Sequence, residues 1–117
     1  MIDNEKLNQL NSLFAAKGVK LAYRIDFNWN HITPPPSKFD VAILFDTNKS
    51  TEEMLALKID LTARMIHLFD QTEIDVAILD HAPLSVQYQT VRQGELLFDP
   101  ENRHPDYYIK TFSPNLP

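Results

Sequence analysis

Two aspartates stand where this chain could do chemistry. Asp40 opens the apolar run Phe39–Phe45, FDVAILF, and Asp75 opens a near copy of it within EIDVAILD, Ile74–Leu79. An acid at the mouth of a strand buried on both faces is costly unless it is paired, solvated at the rim or bound to a cation. Taken singly, each is read most simply as a solvated strand-end carboxylate. If the two runs pair side by side, however, both carboxylates come to one edge of one sheet. Like charges held that close require a cation or a raised pKa.

The elements that must position them follow from the pattern around them. Leu21–Asp46 reads as strand, irregular connection, strand, with Val19–Ile25 the first strand and Phe39–Phe45 the second. Short apolar runs bounded by turn residues suit buried strands. Before them, Asp3 can cap a helix carrying Leu7, Leu10 and Phe14 at helical spacing with Leu13 beside them, and Gly18 ends it. Ser50 and Glu53 make a capping box for a long helix to about Phe69. Met54, Leu57, Leu61, Met65 and Leu68 form its inward stripe. Leu55, Ile59, Ile66 and Phe69 widen that stripe, and the excess could cover sheet on one side and a partner on the other, though it reads most simply as a helix sunk well into its own core. Pro83 opens a third helix to Gln93, with Tyr88 and Val91 turned inward and Gly94 at its C-terminal end. A short strand, Glu95–Phe98, closes the series.

With these elements in order, the chain resembles the minimal nucleotidyltransferases, small relatives of DNA polymerase β that pair with HEPN-type proteins. Their signature is Gly-Ser, ten residues, then Asp-x-Asp, with a third Asp on a later strand and an Arg-x-Gly-x-Leu-Leu ending. Here Ala82-Pro83-Leu84 follows the third run, and Arg92-Gln93-Gly94-Glu95-Leu96-Leu97 matches the ending. The likeness covers Leu7 to Phe98. It implies an α/β (α+β) nucleotidyltransferase fold, a small mixed β-sheet with helices packed on it. Residues 1–98 would be the nucleotidyltransferase-like domain, and 99–117 a tail that joins it or binds a partner.

The aligned site departs from that pattern. Asp40 and Asp75 fall on the second and third carboxylate positions, but Lys38 stands at the first. Counting back ten residues from Lys38, Asp26 and Phe27 replace Gly-Ser, and Asn30-His31 replaces the Arg-Gly that often follows it. In the family three carboxylates hold two Mg²⁺ ions that activate the attacking oxygen and neutralise the leaving pyrophosphate. Mg²⁺ demands hard oxygen ligands in near-octahedral geometry, and a lysine supplies none. Glycine is needed where backbone must approach phosphate closely. Asp26 adds bulk and a negative charge there, and Phe27 removes a hydroxyl and fills the cavity. Each loss would remove roughly several kcal/mol of transition-state stabilisation. The expectation is a vestigial site of Asp26, Phe27, Lys38, Asp40 and Asp75 that needs neither Mg²⁺ nor ATP. Lys38 could then neutralise the two surviving acids in place of the metals, or simply be a solvated lysine at a strand start. Trp29 and Phe27 would plug the vacated pocket or else face a partner, with Pro34-Pro35-Pro36 as a stiff spacer.

Composition narrows the rest. The 117 residues suffice for one domain, and 44% hydrophobic content is ordinary for a globular protein. A formal charge of −5 argues against general nucleic-acid affinity and fits a partner with a basic surface. The absence of cysteine excludes disulfides and thiolate chemistry and fits a cytoplasmic protein. The polar start MIDNEKLNQL lacks a signal-peptide pattern, and no apolar run nears the roughly 18 residues of a membrane span. His31, His67, His81 and His104 have no metal-ligand spacing. The tail gathers Tyr107, Tyr108, Ile109 and Phe112, which could dock on the sheet or bind a second chain.

Three functions are therefore weighed. The first, implied by the resemblance, is an inactive nucleotidyltransferase-like binding partner, an antitoxin-type subunit of a small helical HEPN-like protein. The second is an enzyme with rearranged ligands, in which Asp40, Asp75 and Asp26 or Asp46 hold Mg²⁺ and AMP passes from ATP to a protein acceptor. The third, a nucleotide sensor without turnover, needs an open pocket that Asp26 and Phe27 oppose.

Overall fold

The structure, a computed structural model, describes residues 4–25, 40–45, 48–70 and 74–107. Helix α1 (Asn4–Ala16) leads into β1 (Val19–Ile25), then β2 (Asp40–Phe45), α2 (Thr51–Phe69) and β3 (Val76–Ile78). A single 3₁₀ turn (Leu79–His81), α3 (Leu84–Gln93) and β4 (Glu95–Phe98) follow. The strands form one mixed sheet in the order β3-β2-β1-β4. β1 is antiparallel to both β2 and β4, whereas β2 and β3 run parallel. Parallel neighbours need a crossover, and α2 provides it. The expected α/β (α+β) architecture of helices on a small mixed sheet is what forms.

Both faces of the sheet are covered, which is why the central strands read as unbroken apolar runs. α1 and α2 cover one face, where Leu10, Phe14, Val41, Ile43, Leu61 and Met65 make the main core. The rings of Phe14 and Phe98 meet there with centroids 5.5 Å apart. On the other face Leu21, Tyr23, Ala42, Leu79 and Val91 pack together with Tyr107. A bulge between Val19 and Leu21 shifts the register of β1, so those two residues serve opposite faces.

The helix ends follow from local chemistry. Gly18 closes α1 at φ +76°, a backbone state that other residues adopt only under strain. Ser50 and Glu53 satisfy one another's backbone N–H at 3.1 and 3.3 Å, completing the capping box. Asp70 ends α2 in the left-handed conformation at φ 52°. Gly94 ends α3 at φ −74°, so its backbone is ordinary and its need is for space. A Cβ there would meet Thr90 O at 2.6 Å.

Other expectations are corrected. α2 is not sunk all round: Leu55 is 51% exposed and Ile59 64% exposed. β3 is shorter than Ile74–Leu79, because the chain turns into the 3₁₀ segment at Leu79. Tyr88 is half-buried and is not part of the core that holds Val91. Its hydroxyl lies at the surface, where Arg92 Nη1, four residues on, donates to it at 3.0 Å. Thr90 takes the inward place beside Val91, its hydroxyl donating to Val86 O at 2.8 Å.

Residues 99–107 return to the second face. The Asp99 carboxylate accepts the N–H groups of Arg103 and His104 at 2.7 and 3.0 Å, and a helical turn starts at His104. Tyr107 is buried and its hydroxyl donates to Gln87 Oε1 at 2.8 Å. Tyr23, fully buried, hydrogen-bonds His104 Nδ1 at 2.7 Å. Burial, more than the nearby Tyr107 and Asp99 charges, pushes the Tyr23 pKa well above its usual value. Burial does the same to Tyr107. Tyr108, Ile109 and Phe112 lie outside the described residues. Among those described, no helix is long and apolar enough to cross a membrane.

Candidate functional site

The parallel pairing of β2 and β3 brings the two sequence-predicted aspartates together. The register Val41↔Val76, Ala42↔Ala77, Ile43↔Ile78 places Asp40 and Asp75 side by side at the entry to both strands. Val41 N–H donates to Asp75 O at 3.0 Å, and Asp75 N–H donates to Asp40 Oδ1 at 3.3 Å. The carboxylate of Asp40 thus carries the contact between β2 and β3 one residue beyond Val41 and Val76. Asp40 is only 2% exposed, whereas Asp75 is exposed. The last residue of β1, Ile25, lies opposite Asp40, so three strands end at this edge.

Asp26, Phe27 and Lys38, and with them Trp29, Asp46 and the triproline, lie outside the described residues. The proposed plug and the Lys38 counter-charge therefore remain readings of the sequence. Within the described residues, Arg24 is a further member of this edge that the sequence reading missed. It pairs with Val41 on one side and Glu95 on the other, its Nη1 3.8 Å from the Glu95 carboxylate. Its signal was a cation one residue short of the end of an apolar strand.

A carboxylate that the sequence did not single out marks the opposite end of β2. Asp80 Oδ1 accepts the N–H of Phe45 at 3.0 Å. Burial raises the Asp80 pKa, opposed by the hydrogen bonds from the Phe45 and Asp80 backbone and by the charge of His81. Its signal lay in the repeated run, since Asp80 closes the second copy as Asp46 closes the first. Thr51 Oγ1 and His81 Nε2 lie 3.5 Å apart nearby.

The donor set at the Asp40 edge can be tested against a pair of Mg²⁺ ions. Such ions need several carboxylate oxygens with free lone pairs and room for retained water. Asp40 is buried with one oxygen already holding the Asp75 amide. Among the described residues no group of three or more histidines, cysteines or acids is placed to share a metal. The described residues alone do not make a two-ion site of the kind the resemblance implies.

The family model described as Polymerase beta, Nucleotidyltransferase matches residues 30–103. The chain belongs to the polymerase beta nucleotidyltransferase family. No curated protein sequence matches it. Among solved structures, the toxin–antitoxin pair MntA–HepT contains a chain that superposes with a TM-score of 0.68 at 20% identity, covering 95% of this chain and 85% of that one. The tri-AMPylated HEPN toxin of Shewanella oneidensis in complex with MNT antitoxin gives 0.69 at 18% identity, covering 96% and 85%. A toxin–antitoxin complex with AMP-PNP gives 0.67 at 19%, covering 92% and 84%. At these identities the likeness is one of fold.

Proposed function

We propose that this chain is a non-catalytic nucleotidyltransferase-like subunit that binds, antitoxin fashion, a small helical HEPN-like protein. The observation that carries the reading is the state of Asp40. The middle carboxylate of the motif is buried and engaged with backbone, while in sequence Lys38, Asp26 and Phe27 stand where the first carboxylate and the phosphate-cradling Gly-Ser belong. In sequence the site lacks one ligand and carries a cation in its place. It also has an acid in place of the glycine that would meet a triphosphate. The binding half of the reading draws on the neighbours, which are structures of MntA–HepT and of a HEPN toxin with MNT antitoxin.

Affinity capture of the full chain from its native host tests it. Recovery of a small all-helical protein that takes up no label from α-labelled ATP and Mg²⁺ is the expected outcome. Recovery of none would remove the binding role.

A second reading has one observation behind it. The toxin in one neighbouring complex is tri-AMPylated, and another neighbour holds AMP-PNP. Under that reading Asp40, Asp75 and Asp26 or Asp46 would hold Mg²⁺, and AMP would pass from ATP to the partner. Label on the captured protein, abolished by Asp75→Asn, would establish it in place of the first.

A further inference from the structure

Helix α2 carries two apolar seams. Met54, Leu61 and Met65 form the first, which is spent on the chain's own core. The second runs through Leu55, Ile59, Thr62 and Ile66, in steps of four, three and four residues. That alternation keeps a seam turned toward a neighbouring helix. Leu55 and Ile59 are 51% and 64% exposed, and Ala56 and Ala63 beside them are exposed too. No charge interrupts these six positions. Alanines alongside a seam let a second helix axis come close. Thr62 is the polar member, and its hydroxyl already donates to Lys58 O at 2.7 Å. Covering it strands no donor.

We propose that this outward seam of α2 docks a helix of the partner protein, one whose own apolar side chains recur at the same four-three spacing and whose margins are basic. The inference rests on the reading of the chain as a binding subunit. Two observations favour a foreign helix over a second copy. A formal charge of −5 sets two copies against each other and suits a basic partner. A two-fold dimer must also use the same patch on both chains. It would need roughly 800 Å² from each, about a ninth of the 7364 Å² surface. A seam of about three turns, with Ile66 already packed against its own core, falls short of that. A partner free of symmetry can reach beyond the seam.

Calorimetry with the helical protein captured by the wild-type chain tests this, using Ile59→Asp, Ile59→Ala and the α1 control Asn8→Asp, which is exposed on the side of α1 turned away from α2. Ile59 and Asn8 are exposed, so the urea midpoints of all three should match wild type. Ile59→Ala guards against a fold defect in the aspartate variant. The expected result is an affinity loss on the order of 30-fold or more for Ile59→Asp, about tenfold for Ile59→Ala and none for Asn8→Asp. Unchanged affinity in both Ile59 variants would place docking elsewhere and overturn the inference, leaving the binding role intact. A wild-type chain that captures no helical protein would overturn the role and the seam together. Sedimentation showing a wild-type dimer that Ile59→Asp dissolves would make the occupant a second copy and overturn the proposal.

Discussion

Asp40 and Asp80 sit at opposite ends of β2, and each carboxylate accepts a backbone N–H, from Asp75 and from Phe45. Removing such an acceptor strands a donor, at about 1–3 kcal/mol. Asp40→Ala should therefore lower stability by about that amount in urea unfolding, while Asp40→Asn, which keeps an acceptor oxygen, should lose less than about 1 kcal/mol. Asp80 differs because burial raises its pKa. Its neutral form is favoured in the fold, so its contribution is fully present below the unfolded value, about 3.9. That contribution is lost as pH rises through the folded pKa. Asp80→Asn keeps the acceptor for Phe45 without the charge. It should match or exceed wild-type stability at pH 7, and the gap should close toward pH 4 when urea midpoints are compared. A variant less stable than wild type at pH 7 would show the charge to be useful there. The meeting of Asp40 with Asp75 was legible because DVAIL occurs twice and matched strands pair in register. The backbone duty of each acid was not, since an amide needing an acceptor leaves no mark in a sequence.

At the scale of elements, the ends were the most readable parts. Ser50 with Glu53 fixed the start of α2, and both β1 and β4 run between the residues expected. Capping and turn residues act locally, so their meaning survives without knowledge of the fold. Which side of α2 faces protein was less readable. Both its seams have helical spacing, and spacing reports apolarity without reporting what covers it. Tyr88 was misplaced for a related reason: Arg92, four residues on, takes its hydroxyl at the surface. The other end of α2 offers a further test. Asp70 holds a left-handed conformation and puts a negative charge beside the C-terminal carbonyls. Both features are unfavourable. Asp70→Gly should raise stability by about 0.5–1 kcal/mol, read as a higher melting temperature with an unchanged circular dichroism spectrum.

For the molecule as a whole, the sheet is shared between two unlike coverings, a helix pair on one face and α3 with the returning segment 99–107 on the other. Tyr107 joins that segment to the second core. Tyr107→Ala should cost about 3 kcal/mol of unfolding free energy, whereas Tyr107→Phe should cost about 1 kcal/mol, the hydroxyl contact with Gln87 alone. Equal losses in the two variants would make the hydroxyl, not the ring, the anchor. The strands also differ in length by position: seven and six residues in the middle, three and four at the margins. Brief outer strands give little template for another chain to extend the ladder. A preparation of this protein without any companion should therefore stay free of thioflavin-positive fibrils on long incubation, even with Leu55 and Ile59 bare to water.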